Sequence, residues 1–278
     1  MSRKTLWVIA AVVGLAVVGV GAFGAWMVFG LVTPEEAVAA VTEKLGRVDT
    51  YRFEMLGTIK SQGQEIELDF KGVAADAAVP AETKLSMDGD MTLMGQRLGM
   101  AEILLDGKLY LQYDPNPLGT PGQWYVMDLD LSGMQMAQGG GNPSEYLQYM
   151  KAYSTVEQLD DVNINGVDCA HYFLTIDTAK LTDMAVSNYT ALAEQMPAGA
   201  AGFDEETLRA MYEGATMTTD IYISKDDGMP RRQELWMEFA GDLDMTMEVT
   251  LDLFDFDKPV EITAPDGAVP LPEVDTGE

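Results

Sequence analysis

From Tyr51 onward the apolar residues of this chain recur at every second position, a period that only a strand with one dry and one wet face satisfies. Tyr51, Phe53 and Met55 alternate with Arg52 and Glu54; Ile66, Leu68 and Phe70 with Glu65, Glu67, Asp69 and Lys71; Leu85, Met87 and Met91 with Lys84, Ser86, Asp88 and Asp90. The pattern returns near the carboxyl end over 217–224, 232–240 and 243–253, where Met245, Met247, Val249 and Leu251 share a face. Turn residues punctuate these runs. Ser61-Gln62-Gly63, Asp106-Gly107 and Asn165-Gly166 predict hairpins, and Lys225-Asp226-Asp227-Gly228 and Ala240-Gly241-Asp242 predict further turns. Trp124 and Tyr125 belong to another strand over 123–129.

A helical period interrupts the strands at four places. Ala37, Val38, Val41, Leu45 and Val48 form a stripe opened by Glu35 and Glu36. Asn142-Pro143-Ser144 begins a short stretch through Tyr146, Leu147 and Met150. Leu181, Met184, Ala185, Asn188 and Leu192 mark one face of an amphipathic helix, and a second runs from Asp204 to Tyr212. The order is helix, many strands, helices, then three strands. It predicts an α+β fold with helices gathered on one face of an antiparallel sheet.

The amino terminus reads differently. Arg3 and Lys4 precede an uncharged apolar run from Leu6 to Val32, long enough to cross a hydrocarbon core of about 30 Å. A secretory signal has a hydrophobic stretch of only about 7–15 residues, so the run reads as an uncleaved anchor. Small residues between Gly21 and Ala25 keep a cleaved signal as the alternative. The basic pair predicts a cytoplasmic amino terminus and an extracytoplasmic main domain, a single-pass arrangement in the cell membrane. Residues 1–33 are therefore assigned to the stub and anchor, 34–263 to one domain, and 264–278, which is acidic and Pro-rich, to a disordered tail.

Composition narrows the functions. The chain carries 45 acidic and 17 basic residues, a formal net charge of −28, which opposes nucleic acid, since binding it draws on clustered Lys and Arg. His171 is the single histidine and Cys169 the single cysteine, so multi-histidine metal sites and an intramolecular disulfide are both excluded. Cys169 and His171 lie two apart on one strand face, where a packed thiol beside an imidazole is preferred to a nucleophile and base. No GxSxG, HExxH or P-loop pattern occurs, and the acids of Asp128-Leu129-Asp130 and of 252–257 fall on wet strand positions without calcium-loop spacing. The expectation is a chain that is not an enzyme and needs no cofactor.

The 19 methionines are the remaining compositional signal. Many fall on dry strand positions, where their flexibility serves either as core filler or as a surface that fits acyl chains of varied shape. Met134-Gln135-Met136 and Met245-Thr246-Met247 space thioethers as Cu(I) ligands would be spaced. The second pair sits on an apolar face, and no metal is assigned. Asn188-Tyr189-Thr190 fits a glycosylation sequon but falls within the helical stripe.

DGKLYLQY followed by GQWYVMDL, a helix, GVDCAHYFLTIDTAKL, DIYISKDDGMPRRQELWM and a closing strand ending in KPVEITAP together resemble the LppX/LprG-type lipoproteins and, more distantly, LolA-like lipid carriers. The resemblance spans about residues 34–265. It implies a strongly curved antiparallel half-barrel with helices plugging its concave side, and between them an apolar cavity that takes up an acylated lipid or glycolipid. The helices from Leu181 and from Asp204 would form a movable lid. Cavity positions expected from alternation are Phe53, Met55, Ile66, Leu68, Phe70, Leu85, Met87, Met237, Met247 and Val249, with Leu181, Met184 and Leu192 from the lid. Members of that group carry a lipid-modified cysteine after the signal, whereas no cysteine precedes Cys169 here. An uncleaved helix in its place implies a local acceptor or sensor in the cell envelope. The alternative is a regulatory or structural ectodomain that binds an envelope protein partner.

Overall fold

A hairpin needs two residues whose backbone twist matches that of the strands they join, and in a type I′ turn both lie at positive φ. Asp106 and Gly107 (φ 52° and 71°) meet this demand, as do Asn165 and Gly166 (φ 51° and 88°). Around such turns the computed structural model, which describes residues 48–61, 63–75, 84–93, 95–116, 120–129, 154–179, 182–183, 186, 205–239 and 245–272, forms twelve strands in one sheet. They are β1 (Thr50–Ser61), β2 (Gln64–Ala75), β3 (Lys84–Leu93), β4 (Gln96–Leu105), β5 (Lys108–Asp114), β6 (Tyr125–Asp128), β7 (Ser154–Ile164), β8 (Val167–Ile176), β9 (Ala215–Ser224), β10 (Pro230–Phe239), β11 (Met245–Phe254) and β12 (Val269–Pro270). One described helix, α1 (Glu205–Glu213), precedes β9.

Two meanders build the sheet. β1 to β6 run outward in one direction and β11 back to β7 in the other, and the two join where β1 pairs with β11. All neighbours are antiparallel except β12 against β6. The seam is long, from Arg52 opposite Phe254 to Ser61 opposite Met245. Beyond it the backbone N–H of Asp257 donates to the Thr50 carbonyl at 2.8 Å, and the Thr50 hydroxyl to the Lys258 carbonyl at 2.7 Å.

The sheet is open and curved, and two glycines on its apolar face allow the curl. A Cβ on Gly72 would stand 2.5 Å from Phe53 Cζ, and one on Gly89 would stand 2.1 Å from the Asp69 carbonyl oxygen. The rings of Phe53 and Phe70 lie across the space a larger residue would need, so neighbouring strands close in on the apolar side.

β7 is an edge strand. Glu157, Asp160 and Asp161 are exposed on it, and its pairing with β8 shifts register between Leu159 and Val162. Charge and irregularity both oppose pairing with another chain.

The expected disordered tail is corrected over its first part. Residues 267–271 run beside β6, with Val269 N–H donating to the Trp124 carbonyl and Leu271 N–H to the Val126 carbonyl, each at 3.0 Å. Pro270, which has no N–H, falls between these two donors, where an edge strand makes no ladder bond. Gln123 Nε2 adds a bond to the Gly267 carbonyl at 2.9 Å. Residues 273–278 and the anchor run lie outside the described residues, and among those described no helix is long and apolar enough to cross a membrane.

Candidate functional site

Strand alternation sends one set of side chains to each face, and in this sheet one face is predominantly apolar. A single cluster of buried residues runs from Leu109 and Leu111 on β5, through Met87 on β3 and Phe53 on β1, to Leu251 on β11 and Leu174 on β8. Phe53, Met55, Leu68, Phe70, Leu85, Met87, Met237 and Val249 are all buried within it, and Ile66 and Met247 pack against it half-buried. Ten expected positions thus share one face. Leu181, Met184 and Leu192 lie outside the described residues.

Helical residues are described in two short segments. Thr182 and Val186 are buried, and Tyr212 of α1 meets Phe239 of β10 edge to face, with ring centroids 5.9 Å apart. Such a contact carries about 0.5–1.5 kcal/mol beyond its buried area. Thr178 ties this segment to the sheet, its hydroxyl donating to the Ala215 carbonyl at 2.8 Å. An open depression of about 560 Å³ is lined by Glu205, Glu206, Arg209 and Ala210 of α1, none of them an expected cavity residue.

The apolar face holds two polar intrusions that the strand pattern did not reveal. Gln233 Nε2 donates to the Thr219 hydroxyl at 3.2 Å, both residues being buried. Glu102 on β4 is 1% exposed, and neither of its carboxyl oxygens has a hydrogen-bond partner among the described residues. Burial pushes its pKa well above the usual carboxylate range. Tyr113 on β5 is also buried, and its phenol is pushed up by burial and by the neighbouring Glu102. The signal for Glu102 was present: Met100, Glu102 and Leu104 share parity, so a carboxylate stands where the pattern demands an apolar side chain.

The opposite face is polar and paired. His171 Nε2 lies 2.6 Å from Asp220 Oδ1, and the imidazole stacks on Tyr222 at 4.4 Å between ring centroids. The Tyr222 hydroxyl donates to Glu234 at 3.0 Å, and Arg232 grips Asp252 in a two-point contact at 2.6 and 2.7 Å. Asp220 is thus an orienting group for His171 that sequence reading missed, because the partners are 49 residues apart. The cysteine does not complete a nucleophilic set. Cys169 is fully buried beside Ile164 and Tyr222, and its thiol points to the Val167 carbonyl at 3.5 Å. Burial pushes that thiol up, away from the reactive thiolate.

Among the described residues no three or more His, Cys, Asp or Glu side chains come together as a metal site. Met245 and Met247 are half-buried against the apolar cluster, while Met134, Met136 and Asn188 lie outside the described residues.

No protein-family model matches the chain, and no curated protein does. Solved structures similar to it include the Mycobacterium tuberculosis lipoprotein LppX, at 12% identity and a TM-score of 0.44 over 82% of this chain and 96% of that one. LprF from Mycobacterium bovis is similar at 10% identity and a TM-score of 0.46, over 84% and 96%. MucB in complex with MucA(peri) is similar at 8% identity and a TM-score of 0.35, over 86% and 62%. LppX stands in the group that the sequence resembles, and at such identities the function must be argued from this chain's own residues.

Proposed function

We propose that this protein is an envelope lipid-binding protein, held to the cell membrane by its amino-terminal helix, which takes the acyl chains of an acylated lipid or glycolipid onto the apolar face of its extracytoplasmic sheet. The observation that carries this reading is the extended apolar face shared by Phe53, Met55, Leu68, Phe70, Met87 and Met237, lined with flexible thioethers and curved by Gly72 and Gly89. A flat sheet packed on helices needs neither curvature nor methionine. A surface that receives chains of variable shape benefits from both.

The chemistry is transfer from one apolar medium to another. An acyl chain leaving a bilayer keeps most of its favourable burial, at about 0.8 kcal/mol per methylene, if the protein face closes around it. Residues 181–192 and α1 are the proposed cover. No covalent step is involved, and the acidic exterior discourages adhesion to anionic headgroups. A tethered receptor of this kind collects lipid at the membrane surface where it is anchored.

The test uses the full chain purified from its own membranes in mild detergent, with native mass spectrometry and organic extraction of bound lipid. Lipid should co-purify, and Met87→Gln, which keeps side-chain length but adds a polar amide, should lower it several-fold without loss of circular dichroism. A folded chain that carries no lipid would overturn the reading in favour of an ectodomain that binds an envelope protein partner.

A further inference from the structure

Among the described residues Glu102 is the one buried acid. Other strand carboxylates stand on the wet face beside a partner: Asp90 with Arg97, Asp252 with Arg232, Asp220 with His171. Glu102 instead occupies the apolar face, opposite Met87 on β3 and Leu111 on β5, with Tyr113 on the diagonal. Met100 and Leu104 flank it along its own strand. Both its oxygens are buried without a partner among the described residues. A carboxyl group so placed leaves its hydrogen-bonding capacity unused, a costly arrangement that calls for a use.

The surroundings determine what could satisfy it. Burial favours the neutral, protonated form of the carboxyl, which offers one donor and an acceptor together. An anionic group would meet the same desolvation, added to the −28 charge of the chain. An uncharged hydroxyl matches both halves of the carboxyl at once, donating to the C=O and accepting from the O–H. Apolar neighbours flank it along its own strand and across both adjoining strands, a lining suited to acyl chains.

We infer that Glu102 is a specificity-determining residue, which selects acylated lipids bearing a free uncharged hydroxyl, on a glycerol or sugar, over fully esterified or etherified ones. This inference rests on the lipid-binding reading above and names the polar feature that such a ligand carries.

The test compares 1,2-dioleoylglycerol with its 3-O-methyl ether, in which a methyl group replaces the hydroxyl hydrogen. Each is doped into micelles of the full chain, and bound lipid is counted by native mass spectrometry. The unaltered chain should prefer the free hydroxyl by roughly tenfold, the scale of one well-made hydrogen bond in a dry site. Glu102→Gln, whose amide both donates and accepts, should keep most of that preference. Glu102→Leu should bind the two lipids alike, at about the level of the ether. Equal binding of both lipids by the unaltered chain, or an undiminished preference in Glu102→Leu, would overturn the inference and leave lipid binding standing. If neither lipid is bound, both readings fall. The comparison within the unaltered chain needs no variant, so a folding defect in Glu102→Leu does not remove the test.

Discussion

An unpaired carboxyl in a dry sheet works against folding, and the sign of its pH dependence follows from where its proton sits. The folded-state pKa of Glu102 is raised by burial, so the unfolded chain releases this proton before the folded chain does. The penalty is absent at low pH and grows as pH rises through and beyond the ordinary carboxylate range. Replacing Glu102 with Leu should therefore stabilise the protein by about 1–3 kcal/mol at neutral pH, a gain that shrinks as pH is lowered. Urea unfolding at a series of pH values measures this, and a pH-independent gain would contradict it. Most of the apolar face was legible from parity alone: Phe53, Leu68 and Phe70 each follow from a polar neighbour on either side, and Met55 continues the parity of Phe53. Glu102 was harder to read: it shares parity with Met100 and Leu104, but the three consecutive apolar residues Ile103-Leu104-Leu105 that end its strand mask the alternation. The Asp220 partner of His171 was invisible for another reason, since it comes from a different strand and no local pattern encodes it.

Between strands, charge and backbone clearance decide what can stand next to what. Asp252 lies opposite Glu54 across the seam, a juxtaposition of like charges that the two-point contact from Arg232 relieves. The hydrogen bond to Asp252 also raises the Arg232 pKa. Arg232→Gln should cost about 1–3 kcal/mol, read as a lower denaturant midpoint with an unchanged slope. Gly89→Ala should cost more than Gly57→Ala, because the first new methyl would meet the Asp69 carbonyl at 2.1 Å whereas the second meets its nearest neighbours at 3.3 Å. The expected penalty for Gly89→Ala is about 1–3 kcal/mol, and equal melting temperatures for the two variants would refute the clearance argument. Hairpins such as Asp106-Gly107 could be read in advance because turn chemistry is local. β12 could not, since two residues, one of them a proline, carry no strand period, and the parallel pairing with β6 is long-range.

Over the whole molecule, 45 acids against 17 bases make self-repulsion a standing cost of compactness. Raising KCl from about 0.01 M to about 1 M shortens the screening length from about 30 Å to about 3 Å. The melting temperature should rise across that range, by several degrees, in differential scanning calorimetry; a fall would show that the wet-face ion pairs outweigh the repulsion. The seam between the two meanders reaches further than stability. A bond from Asp49 to Asp257 joins groups 208 residues apart, and β1 gains its second neighbour only when β11 arrives. Loop closure over such a span is slow and comes late. A chain still emerging from a ribosome holds an unfinished sheet, because its first strand lacks one of its two neighbours. Its centre cannot close until nearly the last strand has been made, so the seam joins the two halves only after synthesis is all but complete.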